Sequence, residues 1–205
     1  VVHSAAIHCE CGLADDLSWS FTLQPGDTKQ LCVEVMIGSS DYNQGSFPAL
    51  PSRADWAASF NSVAEFSVAV DQAIEDLRTL LLSTEFGPYP AAGMPIFVNF
   101  FGRDALITGM MILKWQPAVL KSVLTFLAAH QGKTTEPFRE EEPGKILHEV
   151  RRGELSRTNK IPFGRYYGSV DSTPLFLMAV GEYFRNIEDD DFARELRPAI
   201  EAATD

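Results

Sequence analysis

Asp171 lies in the run Tyr166-Tyr167-Gly168-Ser169-Val170-Asp171-Ser172-Thr173-Pro174, where an aromatic, glycine-bearing loop turns into a helix. A carboxylate at such a mouth, beside two tyrosines, has the setting of an acid that cleaves or holds a sugar. The same position also suits a plain helix N-cap. A second acid opens another helix in Phe101-Gly102-Arg103-Asp104. Asp104 either complements the helix dipole or accepts hydrogen bonds from vicinal sugar hydroxyls, with Arg103 orienting it or binding an oxygen itself. Gly102 allows close backbone approach. The third constellation runs from Glu140 to Glu154 and is densely charged, a pattern that usually marks a solvated face. Pro143-Gly144 and Ile146-Leu147 interrupt it, and the apolar pair should anchor the segment. Lys145, His148, Glu149 and Arg151 would then project into a cleft. His148-Glu149 lacks the two-histidine spacing of a helical zinc site, so no metal is expected. Neither a phosphate-cradling glycine loop nor a nucleophile elbow is visible.

These residues need elements to position them. Residues 1 to about 40 alternate in short runs. Ser18–Gln24 and Gln30–Ile37 flank Pro25-Gly26-Asp27 and read as a β-hairpin. So few strands cannot cover their own apolar face, so the start of the chain reads as the end of a β-sandwich. Ser39–Pro51 is rich in Gly, Ser, Asn and Pro and reads as a linker. From about residue 54 the period becomes helical. Phe66, Val70, Ala73, Ile74, Leu77, Leu80 and Leu81 form one amphipathic stripe. Further helices are expected from Arg103 to Trp115, from Pro117 onward, from Pro174 to Asn186, and from Asp191 onward with a kink or split at Pro198. Short connections between them suggest antiparallel helical neighbours. Two long stretches remain, Ser83–Phe101 and Gln131–Phe163, each well beyond the usual connection length. They carry too much apolar and aromatic surface for disorder, so they are expected to be ordered and to build a site at one end of a helical scaffold.

The 205 residues carry a formal net charge of −11, which argues against nonspecific binding to nucleic acid or an anionic membrane. No apolar run is long enough to span a bilayer. Val1–Leu13 mixes His3, His8 and Glu10 into its apolar residues, unlike a secretory leader. Cys9, Cys11 and Cys32 are odd in number and lack a second pair for zinc, which suggests reduced thiols in a cytoplasmic protein.

Five motifs follow one another in order: Tyr89-Pro90-Ala91-Ala92-Gly93-Met94-Pro95, Phe101-Gly102-Arg103-Asp104, Leu127-Ala128-Ala129-His130-Gln131-Gly132, Glu142-Pro143-Gly144-Lys145-Ile146-Leu147-His148-Glu149, and Tyr166 through Phe176. Together they resemble the bacterial glycogen-debranching, amylo-α-1,6-glucosidase-like proteins, over nearly the whole chain from about residue 54. The resemblance implies a mainly α fold, an (α/α)6 toroid of six helical hairpins preceded by a β-domain. Residues 1–50 would be the last strands of that β-sandwich with a linker, and residues 51–205 the first half of the toroid. It also implies inverting hydrolysis of a terminal α-linked glucose from an α-glucan or oligosaccharide, with no cofactor. Asp171 matches the general acid, and Arg103 and Asp104 match the grip on the terminal glucose. Lys145, His148, Glu149, Tyr166 and Tyr167 are assigned more loosely to subsite walls. Ile96 stands where the family often has a tryptophan. The general base would belong to a C-terminal half beyond this chain, which would then be a fragment, inactive by itself. Alternatives are a hydrolase of a small glucoside such as glucosylglycerate, a noncatalytic glucan-binding scaffold, and a purely structural helical domain. The last would be favoured if Asp104 and Asp171 lay at opposite ends. As an acid at neutral pH, Asp171 should be partly desolvated against the tyrosines, with a raised pKa.

Overall fold

Alternating and helical sequence periods occupy different parts of the chain, and the elements follow that division. The computed structural model describes residues 3–8, 34–39 and 67–204. Two units are distinguished, Val1–Gly45 and Ser46–Asp205. In the first, β1 (His3–His8) and β2 (Glu34–Ser39) pair antiparallel, His3 opposite Ser39 and His8 opposite Glu34. The expected strand Gln30–Ile37 is therefore found from Glu34 onward, running on to Ser39. Its expected partner Ser18–Gln24, the turn at Pro25, the three cysteines and the linker after Ser39 lie outside the described residues.

The second unit is mainly helical, with a few short antiparallel strands. Its helix α1 (Ser67–Thr79) carries the predicted stripe only in part. Leu80 closes the helix with a bond to the Leu77 carbonyl, and Leu81 then begins β3 (Leu81–Thr84), which pairs with β4 (Gly87–Pro90). The apolar spacing of Leu80 and Leu81 was compatible with helix, but the turn chemistry decides against it. Thr84 Oγ1 donates to the Gly87 carbonyl and accepts from the Phe86 amide, and Gly87 takes a φ of +118° that suits glycine.

Helix α2 (Gly102–Ile112) ends earlier than the expected Trp115, whereas α3 (Pro117–Ala129) starts at its proline as predicted. Helix α5 (Ser172–Asn186) follows a short α4 (Glu154–Arg157), and α6 (Asp190–Thr204) closes the described residues. Helix α6 runs on through Pro198, so the proline does not split it. Pro198 and Arg194, whose carbonyl loses its amide partner, are both exposed, so water can satisfy that carbonyl.

Helix α2 packs against α3 and α5, and both of those touch α6. Val119, Leu120, Val123, Leu124 and Leu127 of α3 are completely buried at the centre, with Phe176 and Ala179 of α5. Ile146 and Leu147 are also completely buried in this core, as the sequence anticipated for the charged segment. Each such side chain contributes about 1.5–3 kcal/mol, enough to hold a loop with little regular structure.

The two long stretches are stitched together. In one, β5 (Phe100–Phe101) pairs with β6 (Glu149–Val150) of the other, Phe101 opposite Glu149. The Tyr166 carbonyl accepts from the amides of His148 and Glu149, and the Tyr166 amide donates to the Glu149 carbonyl. Three segments distant in sequence thus meet in front of the N-termini of α2 and α5.

Candidate functional site

Where those segments meet lies an open cleft of about 630 Å³. Arg103 reaches it from the first turn of α2. Glu140, Lys145 and His148 come from the segment after α3, and Gly168 through Asp171, with Thr173, from the entry to α5. The close approach of α2 to the His148 segment depends on Gly102. Its amide donates to the His148 carbonyl at 2.8 Å, and a Cβ there would lie 2.1 Å from the Leu147 carbonyl oxygen. The expected close backbone approach at Gly102 is therefore to the chain's own loop. On the other side, Thr173 Oγ1 accepts from the Ile146 amide at 3.0 Å and ties the same loop to α5.

Asp171 occupies the N-cap position of α5, yet its carboxylate makes no capping bond. That task falls to Ser169, whose hydroxyl accepts from the Ser172 amide at 3.2 Å. The Asp171 carboxylate faces outward instead. One oxygen accepts from the Ser169 hydroxyl, and the other lies 3.2 Å from Arg103 Nη1. The Arg103 guanidinium also lies 3.7 Å from an Asp104 oxygen through Nε. One arginine therefore spans both acids, and Asp104 and Asp171 share one end of the unit. Opposite ends would have favoured a purely structural reading.

The electrostatics of Asp171 reverse the expectation of a raised pKa. The Ser169 hydroxyl and, after it, the Arg103 guanidinium hold its carboxyl below the usual aspartate range, outweighing the effect of burial. Its side chain remains 38% exposed. Neither tyrosine hydroxyl is bonded to it. Tyr167 turns into the core and donates to the His130 carbonyl at 2.8 Å. Tyr166 donates to Glu140 at 2.9 Å, and this bond chiefly raises its own pKa.

Of the residues singled out in the sequence, Arg103, Lys145, His148 and Asp171 line the cleft, and Asp104 adjoins it through Arg103. Tyr166 borders it through Glu140, and its ring meets that of His148 edge-on, with centroids 6.0 Å apart. Tyr167 and Glu149 are outside the lining. The Glu149 side chain is only 4% exposed, and Arg151 grips both of its oxygens at 2.8 and 3.2 Å. Arg151 in turn lies between the rings of Phe97 and Phe163. This fork holds the loop, and burial closes the Glu149 carboxylate to a ligand in the cleft. Ile96 is exposed on the loop before β5.

Sequence reasoning missed Ser169 and did not distinguish Glu140 from its neighbours. The Ser169-x-Asp171 spacing before a helix was a usable signal, since a hydroxyl two residues ahead competes for the cap. No comparable local signal separates three consecutive glutamates. Two buried polar atoms near the cleft, Asp104 Oδ2 and His148 Nδ1, have no hydrogen-bond partner among the described residues. No group of three or more metal-ligating side chains occurs among the described residues. None of the helices they form is long and apolar enough to cross a membrane. No family model matches the chain, and no curated protein matches it in sequence.

Proposed function

We propose that the protein is an inverting glycoside hydrolase of the amylo-α-1,6-glucosidase type, releasing terminal α-linked glucose from glycogen or a limit dextrin. In this reading residues 51–205 belong to an (α/α)6 toroid, and residues 1–50 to the end of a β-sandwich with its linker. One observation carries it: Asp171 sits where a helix cap would be, does not cap, and meets Arg103 across an open cleft with Lys145 and His148. The cleft volume of about 630 Å³ is that of a small-molecule site. A planar guanidinium between two carboxylates supplies fixed donors and acceptors for vicinal hydroxyls.

Asp171 would protonate the glycosidic oxygen as the bond from that oxygen to the anomeric carbon breaks. Water would enter from the opposite face and lose its proton to a second carboxylate, about 6.5–9.5 Å from the acid in inverting enzymes. That base is not assigned to a residue of this chain. The resting site holds Asp171 in its ionised form, so the acid role requires a change on binding. A bound sugar would exclude water from Asp171, and that desolvation raises its pKa.

The test is glucose release from a branched limit dextrin by the full-length protein and its Asp171→Asn variant. Asp171 makes no capping bond and is part-exposed, so asparagine should keep the fold with at most a modest loss of stability from the Arg103 pair. Turnover should fall by about 10²–10⁴-fold while dextrin binding persists. Undiminished turnover would remove Asp171 from the chemistry, and binding without any turnover in the unaltered protein would leave a glucan-binding scaffold. Lys145 and His148 in the cleft favour a second reading, a small acidic glucoside such as glucosylglycerate. Glucose release from that compound but not from the dextrin would select it.

A further inference from the structure

Three glutamates follow one another at 140–142, and the fold treats them differently. Glu141 turns back on its own loop and accepts from the amides of Lys133 and Thr134 at 2.9 and 3.2 Å. Glu142 is exposed and outside the cleft lining, whereas Glu140 is part of it.

Glu140 is held there from two sides. Its backbone is left-handed, with φ 51° and ψ 31°, at the end of the 3-10 turn Pro137–Arg139. Few non-glycine residues take that conformation, and it sends the chain into the Pro143-Gly144 turn. Lys145 Nζ donates to its carbonyl at 3.0 Å, and the Tyr166 hydroxyl donates to its carboxylate at 2.9 Å. Tyr166 is itself bonded through its backbone to His148 and Glu149 and lies folded over Gly168, where a Cβ would come within 2.2 Å of its hydroxyl. Tyr166 is the only hydrogen-bonding partner of the Glu140 carboxylate among the described residues. A carboxylate has about four acceptor sites, so most of its capacity is left for a ligand.

We propose that Glu140 is a ligand-contacting, specificity-determining residue of this cleft, its carboxylate accepting a saccharide hydroxyl, and that Tyr166 is the positioning residue that aims it. This rests on the saccharide reading above. Arg103 with Asp171 and Glu140 with Tyr166 then form two polar grips in one cleft, contributed by different segments. The second grip reads hydroxyls and takes no part in proton transfer.

Titration of the full-length protein with isomaltose, together with steady-state glucose release, tests it. Glu140→Gln should weaken isomaltose binding by about 10-fold or more, as expected for loss of a charged acceptor, with no change in melting temperature. Tyr166→Phe should raise KM several-fold and leave kcat unchanged. In a Glu140→Ala background the same Tyr166→Phe change should have no further effect, because its action runs through Glu140. A purely structural role for Tyr166 would add its effect in both backgrounds. Wild-type affinity in Glu140→Gln, or additive effects in the double variant, would overturn the assignment while leaving the saccharide reading standing. Failure of the unaltered protein to bind isomaltose would overturn both.

Discussion

Replacing Gly102 with alanine tests the joint on which the cleft depends. The added Cβ would stand 2.1 Å from the Leu147 carbonyl oxygen, a backbone atom that cannot rotate away. The α2 N-terminus and the Leu147–His148 segment must separate by about 1 Å to restore ordinary contact. Overpacking of this kind costs about 1–3 kcal/mol. The 2.8 Å bond from the Gly102 amide to the His148 carbonyl is stretched or lost as well, and that adds about 1 kcal/mol. A total of about 2–4 kcal/mol should lower the melting temperature by about 5–15 °C for a unit of this size. The site should suffer more than the fold, because the movement separates Lys145 and His148 from Arg103 and Asp171. A misplacement of about 1 Å can cost about 10²-fold in turnover. Thermal unfolding followed by circular dichroism, beside isomaltose titration, reads both effects. Gly153→Ala is the control, since a Cβ there meets nothing within 4 Å. If Gly102→Ala melts and binds like the control, the close approach of loop and helix is wrong, and with it the construction of the cleft.

Other expectations follow from single contacts. Ser169→Ala and Arg103→Gln should each raise the Asp171 pKa, because the hydroxyl and the guanidinium both hold it down; a carboxyl-carbon NMR titration measures this. The stability linked to Asp171 is present above the ordinary aspartate pKa and lost as pH falls through the depressed folded value. Asp171→Asn should therefore lose less melting temperature than the unaltered protein between about pH 5 and about pH 2. Arg151→Met strands the Glu149 carboxylate, 4% exposed. It should cost about 3–5 kcal/mol in urea unfolding, part of which Glu149→Gln restores in the double variant. Tyr167→Phe removes the donor to the His130 carbonyl. It should cost about 1–2 kcal/mol and leave isomaltose affinity unchanged, since Tyr167 faces the core.

Much of the helical scaffold is legible from one chain. Pro117 marks the start of α3, and the apolar spacing from Val119 to Leu127 identifies the most deeply buried helix. Ile146-Leu147 announces that a charged segment is anchored, and it is. These signals are local, since periodicity, prolines and an apolar pair within charge act over a few residues. Where local signals competed, the reading failed. Leu80 and Leu81 fit a helix by period but close it and begin a strand, because the turn at Thr84–Gly87 outweighs two leucines. Pro198 does not split α6, because it sits on an exposed helix face where the lost bond costs little.

For the site, residue type and spacing mark which side chains could do chemistry: Asp171, Arg103 and Asp104 at helix starts, and Lys145 and His148 in an anchored loop. What each one faces is set by the packing of distant segments. Asp171 leaves capping to Ser169 and pairs with Arg103, 68 residues away. Glu149 and Tyr167 are taken out of the cleft by Arg151 and the His130 carbonyl. Glu140 is separated from two identical neighbours by Tyr166, 26 residues further on. The physical reason is the same in each case. Residue type sets what a side chain can bond to, but its partner and its pKa are set by groups brought close through space, and local periodicity carries no record of them.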